Sequence, residues 1–154
     1  MEIQRLLEGN NSLFDENPSN IAGMVANKLN VLDRANQDII AVTAIPDYHT
    51  FGLDGGVKDI LFIVQPKTPL ALKLRWTTSL LRGQGSMYGW ETPDIQARLK
   101  TALAELNSKG YTMKHLITLT DSHSFVPMFQ GVGGMDGLKD IILCYHRKLP
   151  SHLK

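Results

Sequence analysis

Two stretches of the chain carry the same apolar stripe. Ile21, Val25, Leu29 and Leu32 recur at offsets of four, four and three, and so do Ile95, Leu99, Leu103 and Leu106. That spacing puts each set on one face of an amphipathic helix. A shift of 74 positions lays residues 20–51 on 94–125 without a gap. The shift also lays Asn36 on Gly110, the two residue types that best tolerate the left-handed turn ending a helix. Thr92-Pro93-Asp94 predicts the second helix start, with a cap, a first-turn proline and a negative charge on the dipole. Ser19-Asn20 opens the first with weaker signals of the same kind.

Each helix leads into a short apolar run, Ile39 to Ile45 and His115 to Leu119, which predicts a strand. The runs end in matching strings, Asp47-Tyr48-His49-Thr50-Phe51 and Asp121-Ser122-His123-Ser124-Phe125. After a loop the match resumes at a shift of 81, with Val57-Lys58-Asp59-Ile60-Leu61 on Leu138-Lys139-Asp140-Ile141-Ile142. Strands are expected over Ile60–Gln65 and Ile141–His146, each announced by an Asp-Gly turn signal, Asp54-Gly55 and Asp136-Gly137. The expected fold is therefore α+β. Duplicated α-β-β units form one mainly antiparallel sheet with both helices on one face. Residues 1–18 are polar and read as an N-terminal arm or short helix. Residues 19–154 form one domain, with halves 19–65 and 93–148 and an insert 66–92. The insert is ambiguous: Thr68-Pro69 suits a helix start, yet Leu70, Leu72, Leu74 and Trp76 alternate as in a strand.

With 154 residues, 43% apolar and 20% charged, the chain has an ordinary globular composition for one domain. The net charge of +1 exerts no global pull toward nucleic acid or anionic membrane. No apolar run approaches the roughly 18 residues a span needs. The first residues, MEIQRLLEGNN, lack a secretory pattern. The single cysteine, Cys144, sits in an apolar run and reads as a buried, inert thiol in a reducing compartment. A cytoplasm is the expected location.

Three features are candidates for function. In an extended chain residues i and i+2 share a face, so Asp47 points with His49, and Asp121 with His123. Brought together by a pseudo-twofold, they would make a metal site or an acid–base pair. The structural alternative, which leads, has each Asp capping its loop and each His packing at a strand end. The insert is the second feature. It holds Lys67, Lys73, Arg75 and Arg82 without an acidic residue between Asp59 and Glu91, and Trp76, Tyr88 and Trp90 lie in or beside it. Arginine with aromatics favours a protein interface, formed by Lys73, Arg75, Trp76, Arg82, Tyr88 and Trp90, over a solvated face with a Trp in the core, and both over a nucleic-acid site. The third is Gly131-Val132-Gly133-Gly134-Met135-Asp136-Gly137, which precedes a strand where a phosphate fingerprint needs a helix. It reads as a mobile or partner-moulded loop.

The order of elements resembles the tail-terminator (tail-completion) proteins of long-tailed bacteriophages. The matching stretches are the helix 20–34, the strand Lys58–Gln65, Leu81-Arg82-Gly83 before Tyr88, the helix 94–108 and the strand Lys139–Arg147. The resemblance implies a non-enzymatic virion protein whose copies form a ring, with no cofactor, no catalytic residue and no membrane. Its partners would be its own copies and other virion or host proteins. The matched D-x-H strings depart from that family. A thinner resemblance, to phage S-adenosylmethionine-cleaving lyases, lies in Leu81-Arg82, Tyr88-Gly89, Glu91, Ser122-His123-Ser124 and Asp136-Gly137. It implies a lyase-like protein; beside it stands the alternative drawn from the D-x-H strings themselves, a small enzyme using Asp47, His49, Asp121 and His123 as a metal-dependent or acid–base hydrolase.

Overall fold

The computed structural model describes residues 1–7, 13, 16–48, 55–68, 71–82, 91–123 and 135–149. The elements in chain order are β1 (Glu2–Arg5), α1 (Pro18–Arg34), β2 (Gln37–Tyr48), β3 (Gly55–Pro66), β4 (Trp76–Arg82), α2 (Thr92–Ser108), β5 (Tyr111–His123) and β6 (Met135–Arg147). The fold is α+β, and among the described residues every strand pair is antiparallel. The strands form two three-stranded sheets, β1-β3-β2 and β4-β6-β5.

The helices begin and end for local reasons. Asn17 caps α1, its side-chain oxygen accepting from the Asn20 amide at 2.8 Å, with Pro18 in the first turn. The cap thus lies two residues before the expected Ser19-Asn20. At α2 the capping position is Glu91, which makes no side-chain cap, and Thr92 is already helical. Asn36 (φ 59°) and Gly110 (φ 86°) take the left-handed conformation just past the two helices, as their alignment predicts.

The duplication is visible in the backbone. Ile39 pairs with Val64 and Asp47 with Gly56; Met113 pairs with Tyr145 and Asp121 with Gly137. These are the same pairs under shifts of 74 and 81. Register shifts fall between Ile39 and Ala41 and between Ile45 and Pro46, and again between Met113 and His115 and between Leu119 and Thr120. The amide of Lys67 donates to the Asn36 carbonyl and that of Lys148 to the Gly110 carbonyl, both at 2.9 Å. Asp136-Gly137 is no turn: Met135, Asp136 and Gly137 pair with His123, Ser122 and Asp121 inside the hairpin.

Each unit also gains a strand before its helix. Residues 2–5 are neither arm nor helix but β1, paired with β3, and Leu13 is buried in the core. The insert supplies β4, paired with β6, so residues 76–82 of it are extended. The repeat is β-α-β-β, with the leading strand at the sheet edge opposite the hairpin's first strand.

The expected single sheet with both helices on one face is two sheets instead, and the reason is apolar burial. Strand β6 alternates between two cores. Ile142 and Cys144 join Ile117, Leu119 and Trp76 in a cluster with α1 residues Ile21, Val25, Leu29 and Leu32 and with Phe62 and Val64 of β3. Ile141, Leu143 and Tyr145 join Leu81 in a second cluster under α2. The second sheet is apolar on both faces. It stacks one face on the first unit and leaves the other for its own helix.

Candidate functional site

The insert residues expected at an interface go to different places. Trp76 is buried at 5% exposure. Its ring meets His146 edge-on at 5.0 Å and His115 at 5.7 Å. Its backbone amide and carbonyl are both bonded by the Asn30 side chain of α1, at 2.8 and 3.0 Å, which covers the edge of β4 at its first residue. Trp76 is therefore part of the core and its ring offers nothing to a partner. The Lys73 ammonium donates to the carbonyls of Asp33 and Arg34 and to the Asn36 side chain, so its charge sits on the C-terminal end of α1. Arg75 is exposed. Arg82 lies 3.7 Å from buried Asp140, and its carbonyl accepts from Arg98 of α2 at 2.8 Å. Tyr88 and Trp90 lie outside the described residues.

The repeated Asp of Lys-Asp-Ile has a structural role that sequence reasoning missed. Asp59 is buried at 4% exposure and Asp140 at 0%. Asp59 meets Arg5 of the leading strand at 2.6 Å and accepts from the amides of Leu7 and Ile60. Asp140 faces Arg82, its direct partner on β4. Each unit thus ties its leading strand to its last strand by an Arg–Asp pair.

Asp47, Asp121 and His123 lie in the strand ends, with Asp47 opposite Gly56 and Asp121 opposite Gly137. His49 and residues 131–134 of the glycine-rich stretch fall outside the described residues. Among the described residues no three His, Cys, Asp or Glu side chains group so as to hold a metal ion.

The fold perturbs the imidazole of His115. Burial pushes its pKa below the ordinary 6.5, Lys114 and His146 push the same way, and a hydrogen bond to the Ile39 backbone and the charge of Asp38 oppose them. The folded chain then binds fewer protons than the unfolded chain as pH falls past about 6.5, so stability is full above that pH and declines below it. The urea midpoint is expected to be lower at pH 5.5 than at pH 7.5, and the decline to be smaller in His115→Gln. Equal declines in the two proteins would remove His115 as the cause. Cys144 beside it is fully buried and its thiol is pushed up to about 12, which leaves it unreactive at neutral pH.

The surface that stands out is the helix face of the second unit. The α1 stripe is buried: Ile21 3%, Val25 0%, Leu29 0%, Leu32 4%. The matching α2 residues Ile95, Leu99, Leu103 and Leu106 are all only half-buried, and no residue of α2 is fully buried. Beside the helix, Leu116 of β5 is 39% exposed, whereas its counterpart Val42 packs against the first core. A groove of about 350 Å³ runs between α2 and β4, lined by Arg98, Glu105, Leu106, Leu81 and Tyr145. No helix among the described residues is long and apolar enough to cross a membrane. Compared with known proteins, the chain matches no protein-family model, no curated protein and no solved structure.

Proposed function

We propose that this chain is a non-enzymatic, ring-forming structural protein of the phage tail-terminator or head–tail connector type. It would be made in the bacterial cytoplasm and then built into the virion. The observation that carries this reading is the half-exposed apolar stripe of α2 beside exposed Leu116, where α1 and Val42 are covered. An apolar stripe left half-exposed along one helix face is a surface suited to a protein contact. The order of elements that resembles tail terminators supports the same reading. So does the use of both buried aspartates, Asp59 and Asp140, to hold strands together through exposed arginines.

Negative-stain electron microscopy of the purified protein tests it. Closed rings of uniform diameter are expected. Isolated particles of single-chain size at every concentration would remove the proposal.

A further inference from the structure

The duplication supplies a template for what covers α2. Within one chain the first unit is covered by the second. The α1 stripe, Phe62 and Val64 share a buried cluster with Ile117, Leu119, Ile142 and Cys144, the face of the second sheet that points away from α2. Those four residues are 1%, 2%, 0% and 0% exposed. Shifts of 74 and 81 place Thr43, Ile45, Leu61 and Ile63 at the same four positions of the first sheet. There Thr43 is exposed, and Ile45, Leu61 and Ile63 are half-buried and belong to neither core cluster. Ile3, paired with Ile63 on the same face, is 67% exposed.

The chain thus carries one interface made internally and the two unmatched halves of the same interface at its ends. One end is the helix face of the second unit, and the other is the outer face of the first sheet. From this we infer that the occupant of the α2 face is a second copy of this chain. Its first sheet would dock through Ile3, Ile45, Leu61 and Ile63, repeating between chains the stacking of unit two on unit one. The inference rests on the self-associating reading above and adds its geometry. Such a contact is heterologous: each copy offers a different surface to each neighbour, and the series either closes as a ring or continues as a fibre. Contacts of α2 with α2, or of β1 with β1, would be two-fold and would stop at a dimer.

Mixed cross-linking separates these cases. Ile63→Cys and Leu103→Cys proteins are prepared separately and treated with a short bismaleimide, alone and mixed; buried Cys144 stays silent. Ile45→Cys with Leu99→Cys serves as a second pair. The mass of the untreated proteins is read by sedimentation in parallel. Linked dimer is expected in the mixtures and not in either protein alone, and a variant carrying both cysteines should give a ladder. A multimeric mass with no mixed link in either pair, or Leu103→Cys linking to itself, overturns the head-to-tail contact and leaves self-association standing. Mixed links on open fibres keep the contact and remove the ring. A single-chain mass with no links removes both.

Discussion

Leu29→Ala is expected to destabilise the single chain by about 2–5 kcal/mol, whereas Leu103→Ala, the same substitution at the matching position, is expected to cost less than about 1.5 kcal/mol. Leu29 is wholly buried between α1, the first sheet and the second sheet, so truncation opens a cavity that rigid neighbours cannot fill. Leu103 is half-exposed, and its loss forfeits part of a transfer term and leaves no enclosed void. Urea unfolding at low protein concentration measures both. At high concentration the order of effects on assembly reverses, since Leu103 lies on the proposed contact and Leu29 does not. Equal losses for the two variants in the dilute chain would mean that the second helix is as well covered as the first.

The second large effect is expected at Asp33. Its carboxylate, 1% exposed, is paired with the Lys67 ammonium and accepts from the Leu74 amide at 2.9 Å. Those bonds lash the segment after β3 to the end of α1 and so direct the chain into β4. Asp33→Ala leaves a largely buried ammonium and a backbone donor without their anion, and about 3–5 kcal/mol of stability is expected to go with it. Asp33→Ala combined with Lys67→Met should recover part of that loss, because the unpaired cation is then gone. A loss below about 1 kcal/mol for Asp33→Ala, read from chemical denaturation, would show that the pair is replaced by solvent.

The helices, hairpins and duplication were legible because each rests on local chemistry. The stripe of α1 and the left-handed Asn36 and Gly110 have short-range causes. The leading strands were not legible. Glu-Ile-Gln-Arg in β1 is four residues of mixed polarity, held as a strand by pairing with β3 and by the Arg5–Asp59 contact, both made across the chain. Trp76 reads as an interface anchor, since aromatics beside arginine occur at interfaces; its burial follows from the packing of the second sheet on the first unit, which places its ring in the shared core. The candidate site lies beyond local pattern altogether. Leu29 and Leu103 occupy identical places in nearly identical stripes, and only the stacking of the second sheet on the first unit decides which is covered.

Light scattering coupled to size-exclusion chromatography reports most directly on whether the α2 face is a contact between copies. A mass several times the 17.1 kDa of one chain is expected for the natural sequence, falling to 17.1 kDa in Leu103→Asp with the far-ultraviolet circular dichroism unchanged. A natural protein that elutes at 17.1 kDa at the highest attainable concentration would contradict the account.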